Sequence, residues 1–253
     1  FLMNGGLYRG SKAVMWSPVE KTALAEAEVE YHDHKSTTIH VRFPVVTASI
    51  PEVEGAAIVI WTTTPWTMPA NRAVAYGADL DYVVLQVTAV EEESLAVEGE
   101  KLIVARALVE QVCKAGGISA HEIVASFKGE ALAGTVCAHP LRGQGFDYDV
   151  PALAADFATD EEGTGIVHIA PGHGADDWEL GRRNGIEVPQ TVGEDGTYYD
   201  HIPLFAGMHV YKVHNEVCDA LKAAGGLLAR GELVHRYPHS WRSKAPLIFR
   251  NAS

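Results

Sequence analysis

The chain has 253 residues, 47% of them hydrophobic, which is enough to bury a core in one large domain or two small ones. Twenty basic residues against 33 acidic ones leave a net charge of −13, which argues against a freestanding nucleic-acid binder, since neutralising phosphates needs a basic face. No run of 18 apolar residues is present, so no membrane-spanning helix is expected, and Cys113, Cys137 and Cys218 are spaced for neither a disulfide framework nor a zinc site.

In chain order, residues 1–30 read as a mostly extended approach to the domain. The opening Phe1-Leu2-Met3-Asn4-Gly5 is neither a signal peptide nor an ordinary translation start, and Phe249-Arg250-Asn251-Ala252-Ser253 carries no domain-ending pattern. The chain therefore reads as a piece of a longer protein. Strands are expected over 38–44, 56–61, 82–87, 94–97, 123–128 and 165–169, with strand-like spacing returning over 70–76. A helix is expected over 105–115, closed by Gly116-Gly117; a short one over 177–184, stopped by Gly185; and a third over 214–224, ended by Gly225-Gly226. Residues 193–198 form a turn between strands. No repeat or low-complexity tract interrupts this order. Strands with scattered helices fit an α+β class better than regular βαβ winding.

Two segments stand out. The first is Trp61-Thr62-Thr63-Thr64-Pro65-Trp66-Thr67-Met68-Pro69-Ala70-Asn71, directly after the apolar run Ala56-Ala57-Ile58-Val59-Ile60. Pro65 and Pro69 prevent its continuing as an ordinary helix or central strand. The result is a stiff element rich in hydroxyls, able to hydrogen-bond a polar ligand without carrying charge. Threonine also suits strands and tryptophan also fills cores, so a purely structural strand-to-turn element fits the same residues.

The second begins Gly163-Thr164-Gly165-Ile166-Val167-His168-Ile169 and continues Ala170-Pro171-Gly172-His173-Gly174-Ala175-Asp176-Asp177. A short strand leads into a turn whose Gly172 and Gly174 let backbone approach a ligand. Asp176 or Asp177 then stands where a helix N-cap would be. Simple capping is the plainer reading of the two carboxylates. His168 suits a satisfied core position, and His173 an exposed turn. His32, Asp33, His34 and His40 invite a metal hypothesis but fit a solvated surface better. The local basic stretch of His235, Arg236, His239, Arg242, Lys244 and Arg250 reads as a solvated hairpin in preference to a nucleic-acid contact.

Together these two segments resemble the editing domain of the isoleucyl branch of class I aminoacyl-tRNA synthetases. Tyr8-Arg9-Gly10, the stretch from Thr22 to Tyr31 and the stretch from Tyr237 to Arg250 fit the same family, so the resemblance covers nearly the whole chain. Valyl and leucyl relatives commonly carry an arginine at this strand end, and the Trp-Thr-Thr-Thr-Pro-Trp wording points to the isoleucyl branch.

The resemblance implies a β-barrel-like core with peripheral helices. It divides the chain into an entry segment 1–30, an editing domain 31–235 and an exit segment 236–253 that returns to a parent catalytic domain. It implies hydrolysis of valine wrongly esterified to the 3′ end of tRNA(Ile), and it extends to valyl-adenylate. Asp177 matches the family's essential aspartate and would hold the substrate's ammonium, with Asp176 as the competing choice. His168 matches a pocket histidine that helps reject the larger side chain. Thr62, Thr63, Thr64 and Thr67 would line the pocket, with Asn71, Trp66, Gly172, His173 and Gly174 also at the substrate.

Some members carry paired cysteines near the places occupied here by Ser17 to Glu20 and Ser240 to Ser243, and this chain has none there, so no structural zinc is expected. Neither a His-x-Gly-His nor a Lys-Met-Ser-Lys type of signature is present. ATP and magnesium would therefore belong to the parent enzyme, and no cofactor to this piece. A cytoplasmic monomer is expected, without a membrane partner. The competing readings are a tRNA-positioning insert without hydrolysis, a metal-dependent hydrolase using His168, His173, Asp176 and Asp177, and a small-ligand binding domain.

Overall fold

A computed structural model describes residues 10–252; Tyr8 and Arg9 of the family match lie outside the described residues. The chain forms β1 (Lys12–Ser17), β2 (Thr22–Ala23), the 19-residue β3 (Val29–Thr47), β4 (Ala57–Thr62), β5 (Ala73–Tyr76), β6 (Asp81–Val90) and β7 (Lys101–Ala105). Then follow α1 (Val109–Gly116), β8 (Ile118–Lys128), β9 (Val136–Ala138), β10 (Asp149–Ala154), β11 (Ile166–Ile169), α2 (Ala175–Arg183), α3 (His214–Ala223), β12 (Leu227–Ser240) and β13 (Ile248–Ala252). This is a strand-rich α+β fold with helices at its periphery.

A large mixed sheet runs in the order β11-β5-β10-β9-β3-β4-β7-β6-β8, with β12 paired to β3, and a second sheet is ordered β13-β1-β2. The core expected from the resemblance is barrel-like; the sheet does not close. Its last strand, β8, alternates exposed and half-buried positions along most of its length. No ladder joins β8 back to β11 among the described residues.

Alternation along β4 explains the layering. Ile58 and Ile60 point into the main core with Ile39, Val41 and Phe43 of β3, while Val59 points to the other face, toward Leu85, Leu102, Val104 and Val112 of α1. Each such isoleucine, wholly buried, contributes on the order of 2 kcal/mol by removal from water. The β3–β4 register places Ile39 opposite Thr62, so the threonine segment starts where the sheet's apolar packing ends.

The expected helices over 177–184 and 214–224 correspond to α2 and α3. The first expected helix is shorter, because Ala105 stays in β7 and residues Arg106–Leu108 form a 3-10 turn before α1; Gly117 closes it in the left-handed region at φ 62°. Residues 94–97 are not a strand. Their backbone groups go to side chains instead: Arg42 Nη2 donates to Leu95 O at 2.6 Å and Val97 N–H donates to the Glu100 carboxylate at 2.8 Å. The proposed N-cap is also corrected. Gly174 precedes α2, and Asp176 and Asp177 lie inside its first turn.

Glu20 joins the turn after β1 to the end of β12 and the turn beyond it. Its carboxylate accepts from Ser17 Oγ, from Ser240 Oγ at 2.9 Å and from Ser243 N–H at 3.0 Å. The three cysteines are buried free thiols.

Arg42 stitches three segments. Its guanidinium pairs with Glu100 at 2.7 Å and donates to Gly225 O and Leu227 O, with the arginine side chain only 9% exposed. Removing one partner of a buried pair strands the other charge away from water. Glu100→Ala is expected to lower stability by about 3 kcal/mol, read as a drop in the urea midpoint; an unchanged midpoint would contradict the role given to this pair.

Candidate active site

The threonine segment begins where β4 stops. Pro65 is the first residue of a 3-10 turn, Pro65–Ala70, where its missing N–H costs nothing. Pro69 inside the turn cannot donate back, which holds the segment away from α-helical geometry. Hydroxyls take over local bonding: Thr64 N–H donates to Thr62 Oγ1 at 3.1 Å, and Thr67 Oγ1 donates to Thr64 O at 2.8 Å. All six turn residues are buried, Trp66 and Thr67 included. Thr62 is buried as well, while Thr63 and Thr64 keep some exposure.

His168 joins this segment to the second one. It sits on β11, which pairs antiparallel with β5 and sets His168 opposite Val74. Its Nε2 lies 2.9 Å from Thr67 Oγ1 and its Nδ1 lies 2.8 Å from Asn71 Nδ2. The same Asn71 amide donates to Ala73 O at 2.8 Å, which fixes the nitrogen on that side. Nδ1 is therefore the acceptor and Nε2–H the donor, with Thr67 passing the chain on to Thr64 O. This is a neutral tautomer. Burial pushes the His168 pKa down to about 3, so the ring carries no charge at neutral pH and is a poor proton shuttle there. Asn71 Oδ1 remains buried without a partner.

The turn after β11 carries the carboxylate. His173 N–H closes it on Ala170 O at 2.8 Å. Asp177, one turn into α2, folds back so that Oδ2 accepts from Ala170 N–H at 2.7 Å. A Cβ at Gly174 would stand 2.8 Å from Asp177 Cγ, so this approach requires glycine. Burial raises the Asp177 carboxyl to about 6, the neighbouring Asp176 adds to the rise, and the Ala170 N–H offsets part of it. No cation pairs with Asp177 among the described residues. A desolvated carboxylate without a counter-charge is a poised receptor for an ammonium group.

His173 has the opposite tautomer. Nδ1 faces Phe249 O of β13 at 2.8 Å and must donate, so Nε2 accepts from Thr191 Oγ1 at 2.5 Å. Its ring stands edge-on to Trp66, centroids 4.9 Å apart. Both imidazoles thus spend both nitrogens on the protein, which leaves them without the free lone pairs a metal-dependent hydrolase would need. No metal-holding group of His, Cys, Asp or Glu is found among the described residues. Asp176 is exposed and lines a separate surface groove with Asp156 and Phe157.

Two depressions flank the threonines. A groove of about 280 Å³ is lined by Trp61, Thr62, Thr63, Phe157, Gly163 and Val167. A cavity of about 70 Å³ on the other side is lined by Thr63, Thr64, Trp66, His34, Ser36 and Tyr237. Gly163 (φ 76°) and Gly165 (φ 80°) carry the loop across the strand end; a Cβ at Gly163 would lie 3.3 Å from the Trp61 ring and one at Gly165 2.3 Å from Ala105 Cβ. The structure therefore brings Thr62, Thr64, Thr67, Asn71 and His168 into one hydrogen-bonded cluster. Gly172, His173, Gly174 and Asp177 form the adjoining turn, joined to the cluster through Trp66 and β11. Asp177 makes no direct hydrogen bond to a threonine. Sequence reasoning missed His139, Tyr148 and Tyr198, which reach the threonine turn from distant segments; nothing in their local sequence marks them.

Comparison with known proteins gives the family and the fold. A family model described as tRNA synthetases class I (I, L, M and V) matches residues 1–245. Isoleucine–tRNA ligases of Gluconobacter oxydans, Caulobacter vibrioides and Pelagibacter ubique are 55%, 53% and 51% identical over 99% of this chain. The chain spans about a quarter, 27%, of the length of each. A solved structure described as the crystal structure of GlLeuRS-CP1 superposes with a TM-score of 0.56 at 14% identity, covering 79% of this chain and 99% of that one. At that identity the likeness is one of fold.

The raised carboxyl has a consequence for stability. Between the usual 3.8 and about 6 the folded state holds a proton that the unfolded chain has released, so stability falls as pH rises through that window. Asp177→Asn is expected to unfold later than the native chain at pH 7.5, by on the order of 2 kcal/mol, with the gain gone near pH 3.5. Urea midpoints measured at the two pH values check this; equal midpoints at pH 7.5 would contradict it.

Proposed function

Because the chain belongs to the class I tRNA synthetase family, we propose that it is the editing domain of an isoleucine–tRNA ligase and hydrolyses valine esterified to the 3′ end of tRNA(Ile). Valine and isoleucine differ by one methylene, which a hydrophobic synthetic site discriminates only weakly, and this family is itself the standard illustration of that limit and of a second, hydrolytic sieve. The observation that carries the proposal is the half-buried Asp177 carboxyl, raised to about 6 by desolvation and paired with no cation among the described residues, in the turn adjoining a cluster of neutral hydroxyls.

In this reading the α-ammonium of the aminoacyl ester pairs with Asp177 by a charge-assisted hydrogen bond. The ammonium stabilises the ionised form and offsets the desolvation that burial imposes. The hydroxyls of Thr62, Thr63 and Thr64 hold the ester and terminal ribose, with the groove beside Trp61 and Phe157 open to the nucleoside. His168, neutral and fixed by Thr67 and Asn71, acts as a rigid wall that a larger side chain cannot displace. The attacking nucleophile is water, held by protein groups and by the substrate's neighbouring hydroxyl. That water gains most of its rate from position, since a bound, oriented attack avoids the entropic cost of a bimolecular step. Valyl-adenylate offers the same ammonium and carbonyl and is a second substrate of the same chemistry.

Size selection follows from rigidity. The Thr67–His168–Asn71 arrangement has no spare rotamer, so an added methylene meets a wall that cannot retreat. The net charge of −13 repels a free tRNA, so the parent synthetase body delivers the acceptor end. ATP and magnesium serve that body, and this domain needs neither. A monomeric parent in the cytoplasm, with residues 1–30 and 236–253 joining the domain to it, completes the proposal.

Deacylation of valine-charged and isoleucine-charged tRNA(Ile) tests it. The expected result is selective release of valine, insensitive to chelators, falling below about pH 6 as Asp177 takes up a proton. Asp177→Ala should lower the valine rate by about 100-fold, the worth of a hydrogen bond to a charged group. A folded Asp177→Ala protein that deacylates at the native rate would remove the central role given to this carboxylate.

A further inference from the structure

The threonine turn poses a backbone problem that one remote side chain solves. In a 3-10 turn each carbonyl accepts from the N–H three residues on, as Thr64 O does from Thr67 at 3.0 Å and Met68 O from Asn71 at 3.1 Å. For Trp66 that residue is Pro69, which has no N–H. The Trp66 carbonyl is buried, so without a substitute donor it would be left unsatisfied. Tyr198, 2% exposed and 132 residues away in sequence, supplies its phenolic O–H to Trp66 O.

Two further donors grip the same turn. His139, 1% exposed, donates Nε2–H to Met68 O at 3.0 Å and accepts from Leu141 N–H at Nδ1. Its ring stacks on Phe146, centroids 4.9 Å apart. Tyr148 donates its hydroxyl to Asn71 O at 2.8 Å, while the Arg72 guanidinium lies 4.2 Å over the Tyr148 ring and donates to the same carbonyl. Asn71 is the residue whose amide fixes His168. The three donors come from the loop after α2, the segment after β9 and the approach to β10, none of which lines the groove.

We propose that Tyr198 and Tyr148 are positioning residues that set the size selectivity of the threonine–histidine cluster. Resting on the editing function proposed above, the inference assigns them no contact with substrate. Tyr198 holds the carbonyl between Pro65 and Thr67, and so fixes the direction in which the Thr64 and Thr67 hydroxyls point. Tyr148 holds the carbonyl of Asn71, and so fixes the amide that orients His168. Losing either hydroxyl lets the wall give by a fraction of an ångström, and a sieve that distinguishes one methylene fails on that scale.

Tyr198→Phe and Tyr148→Phe remove one oxygen each and keep the packed ring. Steady-state deacylation of valine- and isoleucine-charged tRNA(Ile) is measured alongside hydrogen exchange of the amides over 62–71 and the thermal midpoint. Expected are a drop in kcat for valine of about tenfold, the worth of one buried hydrogen bond, with KM little changed. The valine-over-isoleucine ratio should fall several-fold, and amides over 62–71 should exchange faster at temperatures far below the midpoint. Native kcat, ratio and exchange in both variants would overturn the proposal, as would a lowered midpoint with kcat and ratio unchanged, which marks a merely structural role. The same assays are run with the domain inside its parent synthetase, which delivers the acceptor end; if the unsubstituted parent releases neither amino acid, the editing reading fails, and with it the selectivity role, while the exchange data still decide whether the two hydroxyls hold the turn.

Discussion

The Thr67–His168–Asn71 chain of hydrogen bonds is the constraint on which the rest of the site depends. It joins two segments about 100 residues apart, with His168 Nε2 at 2.9 Å from Thr67 and Nδ1 at 2.8 Å from Asn71. A buried imidazole must be satisfied on both nitrogens, and here the Asn71 amide dictates which one carries the proton. Once the tautomer is fixed, Thr67 is committed to Thr64 O and the hydroxyl row acquires a single orientation. The β5–β11 ladder sets the distance between the two segments, and the sheet order that brings β11 to an edge leaves the turn beyond it free to hold Asp177. A charged histidine in this position would need two acceptors and would break the row.

Against that rigid, neutral cluster the carboxylate is the strained component. Burial opposes its ionisation, Ala170 N–H relieves it only in part, and no cation pairs with it among the described residues. Structures hold such a group when function requires it, and the natural remedy is a ligand that brings the missing charge. In the proposed editing reaction an amino acid in ester linkage does so through its ammonium. That proposal separates selectivity and binding in space: charge recognition at Asp177, and size recognition at a wall whose members are all uncharged.

Much of the candidate site's geometry was legible in the sequence because it is written in contiguous runs. The threonine segment, the glycine turn and the aspartate pair each announce their chemistry by unusual local composition, and glycines marked the ends of α1 and α3. What was not legible depends on distance. β12 contains Gly231, Pro238 and five charged or histidine side chains, none of which favours a strand, yet it pairs with β3 over 13 positions from Leu227 to Ser240. Long-range pairing overrides local preference there. Residues 94–97 look like a strand, but Arg42 and Glu100 claim their backbone groups. Tyr198 answers the Trp66 carbonyl left over by Pro69, and Tyr148 and His139 bring further donors to Asn71 O and Met68 O. The vacancy can be inferred from the prolines, whereas the residues that fill it cannot. The resemblance suggested a barrel, and the exposed edge of β8 leaves the sheet open.

The most direct test of the account is a structure of the chain with a non-hydrolysable amide analogue of valyl-adenosine. The account predicts the ammonium within hydrogen-bonding distance of the Asp177 carboxylate, the isopropyl group against the His168 wall and the nucleoside in the groove beside Trp61. An analogue bound with its ammonium elsewhere and Asp177 still turned to Ala170 alone would contradict it.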